Sequence, residues 1–169
     1  MPDKRSIRTK REIQRALNSL IQQVPFSKIT VNMIAKEAMI HRNTLYLYYA
    51  DKYALLTEIF ESSITINTSW RQNLLDHPFL LFNEIYKQSF HNTIVIQQND
   101  SEFDEVIAKC FTDLFASVIG DDYNQYFLLG RISAIITWIN RTGQPYSIYK
   151  DGDKLDHIYT TQQFPEANK

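Results

Sequence analysis

Glycine and proline are scarce in this chain, four and five among 169 residues, which leaves room for long uninterrupted helices. Cysteine occurs once, as Cys110, so an internal disulfide framework is excluded. That usage fits a reducing cytoplasm, and the thiol reads as a buried, inert one. No run of about 18 apolar residues exists, so no transmembrane helix is expected. The opening MPDKRSIRTKREIQ has no apolar segment behind its charges and does not read as a secretory signal. Internal repeats, low-complexity segments and convincing strand patterns are missing. What is present is apolar and aromatic material, 44% and 13% of the residues, enough for a sizeable core and against disorder outside the termini.

Charge is nearly balanced overall, at −1, but it is segregated. Residues 1–53 hold ten Lys/Arg against four Asp/Glu, and residues 54–169 hold eight against fifteen. A basic head on an acidic body points to a polyanionic partner for the head alone.

Apolar spacing organises the chain as helices throughout. Ile13, Leu17, Leu20, Ile21 and Val24 mark one buried face of a helix over 7–23, which Pro25 ends. Thr30 is a good cap for a second helix, whose inner face carries Val31, Ile34, Ala35 and Ala38. A short helix over about 41–48 follows, with Leu45 and Tyr49 pointing inward. Asp51 can cap a fourth helix, running from Lys52 to about Arg71. His77-Pro78 starts the next, to about Ile96, and QQNDSE at 97–102 is a polar break. Further helices are expected over about 102–118 and 122–141, the latter ended by Gly143. A loop and a short helix near 152–162 complete the chain. The predicted class is all-α: an N-terminal three-helix domain over 1–51, and a helical bundle over 52–169.

The third helix carries the chemistry. Arg42 can fork to guanine N7 and O6, Asn43 can pair with adenine N6 and N7, and Thr44 offers a hydroxyl and a methyl to base edges. The phenols of Tyr46 and Tyr48 can reach phosphates, as can Lys52 in the first turn of the fourth helix. His41 can reach a base or a phosphate. Thr30, Val31 and Asn32 start the second helix and are further candidates. Lys4, Arg5, Arg8, Lys10 and Arg11 form a basic arm suited to the backbone of duplex DNA.

The order Thr30, Ile34-Ala35, Ala38, Ile40, Arg42, Thr44, Tyr46, Asp51-Lys52 resembles the DNA-binding end of TetR-family transcriptional regulators, over about residues 7–60. The resemblance implies a helix-turn-helix whose third helix reads bases, with Tyr46 and Lys52 holding phosphates. It also implies a homodimer on a palindromic operator, and a body that binds a small molecule. Two positions depart from the family: Met39 stands where glycine is usual, at a turn favouring positive φ, and His41 stands where a small hydroxyl residue usually caps the third helix.

One short helix reads only a few base pairs, so a twofold dimer is expected. Its seam is expected from Phe111, Leu114, Leu128, Ile132, Ile135, Ile136 and Ile139, with Gly130, Ser133 and Ala134 as a strip for close approach. An apolar or aromatic effector would find a pocket among Trp70, Phe82, Tyr86, Phe90, Phe111, Phe115 and Trp138. The expected function is a cytoplasmic repressor released by that effector. The alternative is a helix-turn-helix regulator without an effector of its own, switched through a protein partner. Catalysis is not expected, and no cofactor or metal is implied: the four histidines show no HExxH or paired spacing, and no Gly-rich phosphate loop or GxSxG elbow occurs. Asp151-Gly152-Asp153 looks like the start of a calcium loop, but its twelfth position is Gln162 rather than Glu.

Overall fold

The computed structural model describes residues 3–63, 68–90, 93–119, 123 and 126–165; the side chains at 63, 68–71, 88–90, 94 and 119 lie outside that description. The described residues form helices and no strand. They divide into two compact units, one comprising residues 1–63 and 90–110, the other 64–89 and 111–169.

The first unit begins with α1, Lys4–Leu20, capped by the Asp3 carboxylate on the Arg5 N–H at 3.3 Å. The helix therefore starts a turn earlier than the apolar spacing indicates, because Asp3 supplies the cap and the first turn is polar. Ile13, Leu17 and Ile21 are fully buried, as their spacing predicts. After a 3-10 turn, Phe26–Lys28, come α2, Val31–Glu37, α3, Arg42–Tyr46, and α4, Lys52–Ser63. Thr30 caps α2 through Met33 N–H, and Asp51 caps α4 through Ala54 N–H at 2.8 Å. α1 packs on α2 and α4, and α2 packs on α3. Lys10 and Gln14 of α1 both reach Glu58 of α4, at 2.8 and 2.9 Å. Beside them the Tyr49 phenol is pushed up to about 12, chiefly by burial and then by the Glu58 charge.

Residues distant in sequence complete this unit. α7, Ile94–Gln97, and the residues leading into α8, Ser101–Ile119, bring two polar side chains, Gln97 and Asp100, onto the loop after α1. The fully buried Gln97 carboxamide donates to Ile21 O at 2.6 Å and Val24 O at 2.9 Å, and accepts from Phe26 N–H at 2.9 Å. Asp100 accepts from Ser27 N–H at 2.8 Å while capping α8 through Phe103 N–H at 3.0 Å. Those backbone bonds hold its carboxyl below the ordinary value against the opposing effect of burial, the largest influence. Phe103 packs edge-on to Phe26, with centroids 6.2 Å apart. The stretch expected as a mere polar break is thus a clamp.

The second unit contains α5, Thr68–Asp76, α6, Pro78–Phe90, the later turns of α8, α9, Tyr126–Thr142, and α10, Gly152–Thr161. The helix expected from Lys52 is described as α4 and α5, with residues 64–67 between them outside the described residues, and the one expected from Pro78 to about Ile96 is described to Phe90, with Thr93 in a turn before α7. The expected turn at Gly120-Asp121-Asp122 lies outside the described residues. Gly143, with φ +64°, follows α9 as expected of a helix terminator. α6 is capped from a distance: the buried Asp156 carboxylate accepts from Phe79 and Leu80 N–H, both at 2.9 Å. Burial nonetheless raises its carboxyl above the ordinary value. Asn83 bridges Ile148 O and Gly152 N–H, and a Cβ at Gly152 would lie 2.6 Å from its amide oxygen.

Candidate nucleic-acid interface

The turn between α2 and α3 orients the row of candidate side chains. Ile40 N–H returns to Ala35 O at 2.9 Å and Met39 N–H to Lys36 O at 3.1 Å, which closes α2. Met39 takes φ +54°, the left-handed conformation that glycine adopts without penalty, and its side chain is 91% exposed. His41 then caps α3 as an acceptor: its Nδ1 lies 3.2 Å from Asn43 N–H.

Leu45 is fully buried and Tyr49 nearly so, which anchors α3 from behind and turns its other face outward. His41, Arg42 and Asn43 are exposed, Tyr46 is 49% exposed, and Thr44 and Tyr48 are half-buried. Leu47, which caps the helix C-terminus, is 82% exposed among them. Thr30 and Asn32 are exposed and Val31 half-buried, but the Thr30 hydroxyl is engaged by Met33 N–H at 3.3 Å.

Two grooves connect this face to α1. The first, about 410 Å³, is lined by Asp3, Arg5, Ser6, Thr9, Ile40, His41, Thr44 and Tyr48. The second, about 590 Å³, is lined by Ser6, Ile7, Lys10, Arg11, Gln14, Leu47, Tyr48 and Glu58. Tyr48 and Ser6 border both. Ser6 and Thr9 were not among the candidate residues. Asp3 was the available signal, because a helix capped there sets Arg5, Ser6 and Thr9 on one face within its first two turns.

Positive charge is distributed unevenly around the grooves. Among the described residues, Arg5, Arg8, Arg11 and Arg42 form no ion pair, whereas Lys10 is bound to Glu58 and Arg15 to Glu12. Lys52 is also committed within the fold. Its Nζ donates to Phe26 O at 2.8 Å, lies 2.9 Å from Glu102 Oε2, and sits over the rings of Phe26 and Tyr53 at 4.5 and 5.1 Å. Its side chain is 12% exposed. The Tyr53 hydroxyl donates to the same carboxylate at 2.8 Å. The Lys52 hydrogen bond, followed by that of Tyr53, holds the Glu102 carboxyl below the usual range. The phosphate-holding lysine implied by the resemblance therefore has its ammonium satisfied inside the unit.

The expected pocket and dimer residues belong to the second unit. Phe82, Tyr86, Phe111 and Phe115 are buried. Phe82 stands edge-on to Phe111 with centroids 4.9 Å apart, and Tyr149 lies 4.5 Å from Tyr86. Trp138 belongs to a separate cluster with Tyr146 and Phe164, at 5.6 and 4.9 Å. The side chains of Trp70 and Phe90 lie outside the described residues. Of the expected seam, Phe111, Ile132 and Ile135 are buried within the chain, and Leu114, Leu128, Ile136 and Ile139 are partly covered. Gly130, Ser133 and Ala134, the small residues of the expected strip, are exposed on α9, as are Tyr126, Phe127 and Thr137. Nothing lies within 4 Å of a Cβ placed on Gly130. Among the described residues, no group of three or more His, Cys, Asp or Glu is placed to hold a metal, and no helix is long and apolar enough to cross a membrane.

Residues 13–59 match the family model described as bacterial regulatory proteins, tetR family. The uncharacterized HTH-type transcriptional regulator YxbF of Bacillus subtilis (strain 168) is 23% identical over 148 residues, 76% of this chain. The chain spans 39% of that relative's length. The solved structure of the dihydroxyacetone kinase operon activator DhaS shares 25% identity over 92% of each chain, with a TM-score of 0.44. The multidrug binding protein EbrR, solved in complex with imidazole, shares 13% identity over 99% of each chain, with a TM-score of 0.50, a likeness of fold.

Proposed function

We propose that this chain, a member of the TetR family of bacterial regulatory proteins, is a sequence-specific DNA-binding regulator that represses by occupying a palindromic operator as a homodimer in the cytoplasm. The observation that carries this reading is the row His41, Arg42, Asn43, Thr44, Tyr46 and Tyr48 on the side of α3 away from the buried Leu45, of which His41, Thr44 and Tyr48 share a groove with Arg5, Ser6 and Thr9. A helix presents three or four side chains to base edges in the major groove, and flanking cations and hydroxyls hold phosphates. We assign Arg42, Asn43 and Thr44 to base edges. Tyr46, Tyr48, Arg5 and Arg11 are assigned to the backbone.

The exposed small-residue stripe of α9 supports a dimer seam on that helix, since small side chains let two helix axes approach closely. Sedimentation at micromolar concentration should give twice 19.9 kDa; a species at 19.9 kDa would sink the dimer. Selection of bound duplexes from a random pool tests the whole reading. It should enrich an inverted repeat, and enrichment of no sequence would overturn it.

Release by a small apolar or aromatic effector would require a space among Phe82, Tyr86, Phe111 and Phe115. Three of these rings, with Tyr149, pack directly on one another. That packing supports the second reading, a regulator switched through a protein partner. Calorimetric titration with hydrophobic amines and aromatic acids should then give no heat of binding.

A further inference from the structure

The N–H of Asn43 points at His41 Nδ1, 3.2 Å away. A backbone amide can only donate, so this nitrogen must present its lone pair. In that bond Nδ1 faces the helix amide, which leaves Nε2 as the donor that faces away from it. His41 is exposed and lines the groove with Arg5, Ser6, Thr9, Thr44 and Tyr48. A serine or threonine cap would spend its only side-chain oxygen on the helix. An imidazole caps with one nitrogen and keeps the other for a partner.

We propose that His41 is a specificity-determining residue whose Nε2–H reads a hydrogen-bond acceptor on a base edge. This rests on the DNA-binding reading above. A neutral N–H donor fits guanine O6 and N7, adenine N7 or thymine O4, and it is rejected by the amino groups of cytosine and adenine. The charged and titratable groups around the ring are Asp3, Arg5 and Tyr48 in the groove, and Arg42 beside it.

The test selects DNA from a random pool with the wild-type chain, His41→Ser and His41→Asn. Serine keeps the cap and removes the outer donor. Asparagine keeps both, its carbonyl on the helix and its amide outward. All three carry Asp3, Arg5, Arg42 and Tyr48, so effects of those groups cancel. The wild type and His41→Asn should share a preference at one position per half-site that His41→Ser lacks. The loss should be about 3- to 10-fold on the preferred site, the range of one neutral hydrogen bond. An unchanged preference in His41→Ser with a shallower salt dependence would assign the ring to phosphate and overturn base reading. If the wild type enriched no sequence, the DNA-binding reading itself would fail; if it enriched a motif that His41→Ser reproduced, only this inference would.

Discussion

The Lys52 ammonium lies 2.9 Å from the Glu102 carboxylate, so the first turn of α4 is tied to the first turn of α8 across fifty residues of sequence. Two aromatic faces and the Phe26 carbonyl complete the enclosure of the cation. Lys52→Ala should therefore lower the thermal unfolding midpoint. It should leave the salt dependence of DNA binding nearly as steep as in the wild type, because an enclosed ammonium releases no counterion on binding. A slope shallower by about one unit would show that Lys52 leaves Glu102 for a phosphate.

The same pair predicts an acid dependence. The Glu102 carboxyl is held below its ordinary value by Lys52, so its contribution is fully present above that ordinary value and is lost as pH falls through the lowered one. Chemical denaturation of the wild type and Glu102→Gln across this range should show the two stabilities converging in acid.

Gln97 satisfies two carbonyls and one N–H from a fully buried position. Gln97→Ala strands all three groups and should cost about 2–4 kcal/mol, read from the urea midpoint. A loss under about 0.5 kcal/mol would mean that the loop after α1 finds other partners.

Met39 stands at φ +54° with its side chain in solvent. Met39→Gly removes a left-handed penalty of about 1–2 kcal/mol and adds backbone freedom to the unfolded chain, which offsets about half of it. The net change should be a gain of about 0.5–1 kcal/mol in urea denaturation.

Gly152 marks the opposite case. A methyl there would meet the Asn83 amide oxygen at 2.6 Å and the Phe79 carbonyl at 2.9 Å. Gly152→Ala should destabilise by about 1–3 kcal/mol, an effect visible in the same assay.

Much of the first unit is legible in sequence because its signals are local. The spacing of Ile13, Leu17 and Ile21 needs only helical geometry, and Thr30 and Asp51 act on amides three residues away. Met39 announces its strain through the residue usual at that turn. What was not legible depends on partners remote in sequence. Nothing near Lys52 indicates Glu102, and QQNDSE reads as a break because its contacts lie about seventy residues upstream. Apolar side chains declare that they are buried, not against what. Phe111, Ile132 and Ile135 fit a subunit seam equally well until the chain is seen to cover them itself.

The clamp formed by Gln97 and Asp100 has a consequence for biosynthesis. The chain is made from its N-terminus, so α1 to α4 leave the ribosome before the residues that satisfy Ile21, Val24, Phe26 and Ser27 exist. At about 5–20 residues per second, that interval is on the order of seconds. During it the loop after α1 must borrow its hydrogen bonds from water, and it gains its protein partners only once Gln97 and Asp100 have been made.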